Sequence, residues 1–212
     1  MLAGNAVLAG SLPVSLPRSH LHSTMTLQLR PTADNPEYPT HVLAISSSTS
    51  SSSDHVRLFP VHALVLASHC ARLPRLPPPQ ANGSPSQVTL PVIPMSVPSP
   101  TAFAILHQFM YHHRLDSVLK LLFPLPPKFL QSLSHQTVQA TLSSETTLRQ
   151  LSNYLCTSAS SNLQALTAHA AHVKDLWQDM AALGLYDPEL WDTIDLAWEI
   201  VLGALNIAAT GN

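Results

Sequence analysis

The sequence predicts an α+β fold in which a small sheet flanked by helices is followed by a helical C-terminal extension. Two short segments, 40–45 and 55–59, are rich in β-branched residues and alternate in the manner of neighbouring strands. Beyond residue 100 the apolar residues recur at steps of three and four, the spacing of amphipathic helices. Prolines crowd the stretch between these two patterns, and each proline removes an amide hydrogen that regular structure needs.

Residues 1–36 are predicted to form a disordered or loosely attached N-terminal arm. Serine and small apolar residues mix there with four prolines, and no helical or strand period is sustained. The arm is also similar to an organelle transit peptide, since it has arginines and few acids, but Pro13 and Pro17 would interrupt the amphipathic helix of such a peptide. We therefore expect an arm without a targeting role.

The core is predicted over residues 37–122. The segments 40–45 and 55–59 form a hairpin whose Ser-rich loop, 46–53, is mobile, because serine cannot bury enough apolar area to offset its ordering entropy. The segment 59–70 then contains a short helix that enters directly from the second strand. Its apolar residues are too dense for a surface helix, so we expect it to be buried; they are Leu64, Leu66 and Ala67.

The second half of the core begins with a Pro-rich loop, 74–87, and a short strand, 88–90. Ser99 is placed to cap a helix that starts at Pro100 and ends near Tyr111. The apolar residues of this helix recur at three- and four-residue steps and define its buried face. A last short helix follows and is stopped by the prolines after residue 122.

The helical extension is predicted over residues 123–212. A regular apolar pattern from Leu163 to Met180 specifies one long helix, which Gly184 should terminate. Asp187 and Pro188 then form an N-cap and first-turn pair that opens the last helix. The extension therefore consists of helices packed through leucine, alanine and tryptophan side chains.

Charge is divided unevenly along the chain. The 10 basic residues stand against 12 acidic ones, and all of the basic residues lie at or before Lys174, whereas seven acids follow it. A net charge of −2 without a basic run provides no attraction to phosphate, so we expect no direct nucleic-acid binding. The hydrophobic fraction of 45% against a charged fraction of 10% indicates that some apolar surface contacts a protein partner.

No motif for catalysis, metal or cofactor binding is present. The two cysteines and 12 histidines form no zinc knuckle, the six glycines form no phosphate loop, and no G-x-S-x-G elbow exposes a serine. We therefore predict that the chain is not an enzyme and has no catalytic, metal or cofactor site. Two cysteines and the lack of an uninterrupted membrane-length segment predict an intracellular protein without a membrane contact.

The first half of the chain carries three motifs in a known order. His62 opens a helix after a strand, a leucine-alanine-serine core runs from Leu66 to Ser68, and Tyr111 ends a later helix. In this order they resemble the BTB/POZ fold, which implies a BTB/POZ-like core with His62, Leu66, Ser68 and Tyr111 as its core motif. The glycine that usually follows this tyrosine is replaced here by His112.

A second resemblance extends over most of the chain. The BTB-like part joined to the segment 176–199, LWQDMAALGLYDPELWDTIDLAWE, resembles the clampless-type proteins of basidiomycete fungi. This resemblance implies a regulator of sexual development that acts in clamp-cell formation and dikaryon growth, downstream of mating-type homeodomain factors. It also implies protein partners, transcriptional regulators among them, in the nucleus, the cytoplasm or both. No enzymatic activity is attached to that family.

The acidic C-terminal segment is the candidate partner-binding surface. Trp191, Asp192, Asp195 and Glu199 form an acidic and aromatic patch suited to a basic or arginine-bearing partner. A solvated face is the alternative interpretation of the acids. The other two tryptophans, at 177 and 198, lie on predicted apolar faces and are expected in the core.

Three functions remain open at this point. The first is an interaction regulator, with self-association as a homodimer through the first strand and helix left open. The second is an adaptor of a cullin ubiquitin ligase, because many BTB domains bind cullins, although no separate substrate-recognition domain is visible. The third is a serine hydrolase, since the chain is rich in serine.

Overall fold

The structure, a computed structural model, describes residues 13–29, 38–49, 54–78, 83–84 and 87–211. It divides into two compact units. The first consists of the chain up to Tyr111 together with Asp179–Tyr186, and the second consists of His112–Gln178 and the chain from Asp187 onward. Strands lie in the first unit and most helices in the second, so the predicted α+β class is confirmed.

A mixed sheet forms the first unit. Its strands in the described residues are β1 (Ser15–Pro17), β2 (Thr24–Gln28), β3 (His41–Ser47), β4 (His55–Val61), β5 (Gly83–Ser84) and β6 (Gln87–Val97). The spatial order is β1-β4-β3-β6-β2, and β5 also pairs with β6. The predicted hairpin of β3 and β4 is antiparallel, and β6 then returns parallel to β3. The BTB/POZ likeness rests on the motif residues and stays a prediction.

The N-terminal arm is ordered where the structure describes it, contrary to prediction. Leu16 in β1 pairs with Val56, and in β2 Met25 pairs with Leu90 and Leu27 with Val88. Leu27 is also buried, in a cluster with apolar residues of β3, β4 and β6. The segment is too short and too irregular to reveal a period, and its strands depend on pairing with distant parts of the chain. Residues 1–12 and 30–37 lie outside the described residues.

The strand predicted at residues 88–90 is longer in the structure, where β6 runs from Gln87 to Val97. The prediction ended before Pro91 because proline lacks the amide hydrogen that a sheet interior needs. Pro91 and Pro94 both lie within β6. Among the described strands, residues 92–97 pair only with β3, so Pro94 lies in a half of the strand with one unpaired edge, where a missing amide hydrogen costs little. The predicted loop 74–87 therefore ends in β5 and the first residue of β6, and its residues 74–78 have no regular structure.

The predicted serine loop also begins later than expected. Ser46 and Ser47 belong to β3, and the Ser46 hydroxyl lies 2.9 Å from that of Ser96 on β6. Pairing with β6 supplies partners that a serine run cannot supply locally. Residues 50–53 of the predicted loop lie outside the described residues.

In the described part of this unit two α-helices accompany the sheet, α1 (Ala63–His69) and α2 (Pro100–His112). The amide of Ala102 donates to the Ser99 hydroxyl at 3.3 Å, which confirms the predicted cap of α2. The expectation that α1 is a buried helix is wrong. Of the three residues on which it rested, Leu66 is buried, but Leu64 is 68% exposed and Ala67 is also exposed, because this two-turn helix packs through one side only.

The second unit is built from helices α3 (Leu115–Leu122), α4 (Pro127–Gln131), α5 (His135–Leu142), α6 (Glu145–Ser158), α7 (Leu163–Leu183) and α8 (Pro188–Thr210). The predicted core ended at residue 122, yet α3 groups with this unit because it contacts α8 and α4. The last residues of α7, from Asp179, group instead with the first unit.

The C-terminal helix α8 is the centre of the second unit. Its buried face lies against α6, α5 and α3. These buried residues are Leu190, Thr193, Ile194, Leu196, Ala197, Ile200, Val201 and Ala204. The Asp187 carboxylate accepts from the amide of Leu190 at 3.0 Å, so the predicted N-cap is confirmed. Among the described helices, α8 alone is long and apolar enough to cross a membrane. A core helix can meet the same criterion, and α8 contacts α6, α5 and α3 as a core helix does.

Candidate interaction surfaces

Two motif residues, His62 and Tyr111, meet at the start of α1. The His62 amide donates to the Tyr111 oxygen at 3.0 Å, and the same oxygen lies 2.8 Å from His62 Nδ1. Because the oxygen accepts from the amide, its own proton is free to be donated to Nδ1 when the ring carries its proton on Nε2. Burial raises the pKa of Tyr111, and the bond from the His62 amide opposes this. The end of α2 is thereby bonded to the start of α1.

Aromatic packing surrounds this junction. The His107 ring lies 5.2 Å from Tyr111 and 5.3 Å from Phe59, and its Nε2 is 3.2 Å from the carbonyl oxygen of Pro60. Leu66, another motif residue, lies on the buried side of α1 and is 1% exposed. Ser68 does not join the junction: it is exposed, and its hydroxyl donates to the carbonyl of Val65 at 2.9 Å. Three of the four predicted core motif residues, His62, Leu66 and Tyr111, therefore hold α1 in place, whereas Ser68 bonds only within the helix.

The exposed side of α1 continues into a second segment. The amide of Tyr186 donates to the carbonyl of His69 at 3.2 Å, and the amide of Ala71 donates to that of Gly184 at 3.1 Å. Gly184 has φ +60°, the left-handed conformation predicted for a terminating glycine, so that prediction is confirmed. Tyr186 is 82% exposed beside α1. Sequence reasoning missed this apolar surface, because it assigned α1 entirely to the core.

The four predicted partner-binding residues share one side of α8. At 3.6 residues per turn, Trp191, Asp192, Asp195 and Glu199 span an arc of about 100°. Trp191 and Asp192 are half-buried, whereas Asp195 and Glu199 are exposed. The helix therefore brings these residues together as the sequence suggested, but it does not expose them equally.

Asp192 is bound within the second unit. Its Oδ2 accepts from His135 Nε2 at 2.8 Å and from Gln139 Nε2 at 3.1 Å, both on α5. These bonds hold the pKa of Asp192 below its ordinary value, with the bond from His135 as the largest cause. This carboxylate is therefore a contact between α5 and α8.

Asp195 and Glu199 are different, since neither carboxylate has a cationic partner in the described part of the chain. Partial burial raises the pKa of Asp195, and repulsion from Asp192 and Glu199 raises it further. Leu202, 46% exposed, and the exposed Asn206 continue the same line along α8. We call Asp195, Glu199, Leu202 and Asn206 the α8 stripe.

The tryptophans divide between core and surface. Trp198 is half-buried, but Trp177 is 44% exposed. The prediction that Trp177 lies in the core is therefore wrong. The spacing of Trp177 fits the apolar face of α7, yet the residues of this helix that are buried are its neighbours Val173, Leu176 and Met180. Spacing alone does not distinguish the centre of an apolar face from its edge.

A groove in the second unit was not predicted. It has a volume of about 990 Å³ and is lined by parts of α3 and α4, by the loop between them and by His169. Its apolar lining residues are Leu121, Leu122, Phe123, Pro124, Leu125, Pro127, Leu130 and Leu133. The only sequence signal for it is the proline cluster at 124–127, which keeps the α3–α4 connection extended.

Basic side chains lie at the edge of this groove. Arg114 donates to Asp116 through Nη2 at 2.6 Å and Nε at 3.1 Å, so their charges compensate. Lys120 is exposed and has no acidic partner among the described residues. His169 Nδ1 lies 3.1 Å from the Leu122 carbonyl oxygen. The groove therefore has an apolar floor and a net positive edge. Across the residues that the structure describes, no three His, Cys, Asp or Glu side chains are grouped to hold a metal.

Comparison with protein families gives matches over nearly the whole chain. The model described as Clampless protein 1 N-terminal domain matches residues 1–98, and the model described as Clampless protein 1 C-terminal domain matches residues 116–212. Neither a curated protein nor a solved structure matches.

Proposed function

This chain belongs to the clampless protein family, and from that premise we propose that it is a non-enzymatic regulator that acts by binding other proteins. The process we propose is fungal sexual development, in clamp-cell formation and dikaryon growth. The partners are regulatory proteins of the nucleus or cytoplasm, including transcriptional regulators. Labelling of the pure chain by a serine-selective probe would contradict the non-enzymatic part and support a hydrolase.

The α8 stripe is the observation that carries this proposal. On this face Asp195 lies near Asp192 and Glu199, and partial burial followed by repulsion from these two acids raises the pKa of Asp195. A face needed only for solubility gains nothing from such crowding, because charges of both signs serve that purpose better. A partner with lysine or arginine side chains would relieve the repulsion, so binding and electrostatics favour the same contact.

Affinity capture with charge-reversed full-length chain tests this surface. The variant carries Asp195→Lys and Glu199→Lys, and the matched control carries Asp175→Lys on α7 of the same unit. We expect the reversed stripe to lose the proteins that wild type and control retain, as identified by quantitative mass spectrometry. Equal capture by all three proteins would remove the stripe from the mechanism.

The developmental role is tested in the fungus. A strain in which this gene is deleted should lose clamp cells and recover them with the wild-type gene. The stripe-reversed gene should restore fewer clamps at equal protein level, whereas the Asp175→Lys gene should restore them fully. Normal clamp formation in the deletion strain would contradict the role in sexual development.

A cullin adaptor is the second candidate, and the His62–Tyr111 junction favours it. The contact joins two of the residues that carry the resemblance to the BTB/POZ fold. If this function is right, a cullin should co-purify with the tagged chain. Its recovery should fall when the exposed Leu64 on α1 is changed to Asp, whereas Leu163→Asp in the second unit should leave it unchanged. Absence of any cullin would exclude the adaptor.

A further inference from the structure

We infer that the groove of one copy of this chain binds the α8 stripe of a second copy, so that the chain self-associates through its helical unit. The inference rests on the proposed function in one respect, since it takes the stripe to be a protein-binding surface and names a partner for it. Both surfaces belong to the second unit. Each copy therefore offers both halves of the contact.

Charge is the first argument for this pairing. Of the charged residues that line the groove, Arg114 and Asp116 compensate each other, which leaves Lys120 as its net positive charge. Residues 187–199 carry five acids and no basic side chain. Lys120 at the groove and Glu199 on the stripe each have no oppositely charged partner within the described part of the chain. A second copy supplies the missing partner to each.

Apolar chemistry is the second argument. Leu121 at the groove is 48% exposed and Leu202 on the stripe is 46% exposed. Leu202 lies three residues beyond Glu199 and therefore on the same side of α8. A helix that places Glu199 near Lys120 thus presents Leu202 to the apolar lining as well. In helix-in-groove recognition apolar side chains of the helix enter the groove, and Leu202 is the side chain of the stripe that can do so.

Size is the third argument. Because α8 is packed against α6, α5 and α3, only the side chains of its exposed stripe can enter a groove. The stripe from Asp195 to Asn206 extends over about 16 Å of helix, or about three turns. The groove volume of about 990 Å³ exceeds the roughly 400–600 Å³ of one complete turn, so it has room for the side chains of the stripe.

Symmetry decides what assembly is expected. A contact between different surfaces of two copies closes as a dimer when a two-fold axis lets both reciprocal contacts form at once, and otherwise continues into a ring or filament. We infer the closed dimer. The two reciprocal contacts then add, whereas a single contact of this size would be weak.

Sedimentation velocity of the full chain over a range of concentrations tests the inference by charge exchange. Wild type should form dimers that weaken as salt rises, because salt screens the exposed charges. Lys120→Glu and Glu199→Lys should each weaken the dimer by about tenfold or more. The variant that carries both changes should dimerise again, since the charges are exchanged rather than removed.

The matched control is Lys128→Glu on α4, a lysine that does not line the groove, and it should dimerise like wild type. Circular dichroism should show equal helix content in all variants. A monomer at every concentration, single reversals without effect, or a double variant that stays monomeric would each overturn the inference. Failure of the inference is distinct from failure of the proposed function, because Lys120→Glu should leave capture of other partners intact while reversal of the stripe abolishes it.

Discussion

At the residue scale, the functional meaning of a side chain depends on what its neighbours do to it. Asp192 and Asp195 are three positions apart on α8 and were predicted together as partner-binding residues. Asp192 receives two hydrogen bonds from α5, which lower its pKa, whereas partial burial and the neighbouring acids Asp192 and Glu199 raise the pKa of Asp195. The Asp192 side chain is 34% exposed but bonded to α5, so of the two acids only Asp195 has no bond to give up when a partner binds. The sequence reveals the acids but not α5, which separates their roles.

Asp192→Asn should lower the free energy of unfolding at neutral pH. A lowered folded-state pKa means that the ionised form stabilises the fold above the unfolded pKa of about 3.9, and that this contribution is lost as pH falls through the folded pKa. The cost should be about 0.2–1 kcal/mol at pH 7, because the pair is partly exposed. Urea unfolding at pH 7 and below pH 4 measures it. A difference that does not shrink in acid would contradict the bond to His135.

Asp195→Asn should act in the opposite direction. A raised folded-state pKa means that the contribution of Asp195 to stability is fully present below the unfolded pKa and is lost as pH rises through the folded pKa. Removing the charge should therefore stabilise the chain by a few tenths of a kcal/mol at pH 7 and not at low pH. The same variant should bind partners less well. A destabilised variant with unchanged partner binding would show that the carboxylate has a structural role.

Tyr111→Phe tests the junction between α1 and α2. The substitution removes the oxygen that serves both His62 N–H and Nδ1, and it leaves these groups without that partner in a site where His62 is 4% exposed. The expected loss is about 1–3 kcal/mol, with faster amide exchange in α1. Tyr154→Phe on α6 is the control and should cost little. Equal stability of the two variants would contradict the structural role of Tyr111.

At the element scale, the sequence predicted those helix ends that are determined by residues close to them in the chain. The start of α2 and both ends of the α7–α8 connection were predicted correctly, because Ser99, Gly184 and Asp187 act on residues within a few positions of themselves. The strands β1 and β2 were missed because their partners, β4 and β6, lie far along the chain. The exposure of α1 was also missed, since composition does not show how many sides of a helix are covered.

Gly203→Ala tests the packing of α8 against α6. A Cβ added at Gly203 would overlap the Ser152 side chain, since it would lie only 2.9 Å from the Cβ of Ser152. Alanine gains roughly 1 kcal/mol in helix propensity, but overpacking costs about 1–3 kcal/mol, so we expect a net loss of stability. Addition of Ser152→Gly should recover part of it. Thermal unfolding provides the measurement, and a more stable single variant would show that α6 and α8 are less closely packed.

At the scale of the whole molecule, the chain combines a sheet-containing unit with a helical unit, and the two family matches follow the same order along the sequence. The apolar surface at α1 and Tyr186 belongs to the first unit, whereas the stripe and the groove belong to the second. The low charged fraction is consistent with apolar surfaces that contact other proteins. The composition of the sequence predicted that the chain binds other proteins. It could not predict the groove, because the residues that line it come from three helices.

Carbodiimide cross-linking with mass spectrometry tests the central claim most directly, because this reagent joins only carboxylates and amines that are already in contact. The full-length chain, isotopically labelled and introduced into native extract, should yield peptides in which Asp195 or Glu199 is joined to a lysine of another molecule. For a second copy that lysine is Lys120, recognised in a mixture of labelled and unlabelled chain. Cross-links at other carboxylates with none at Asp195 or Glu199 would contradict the account.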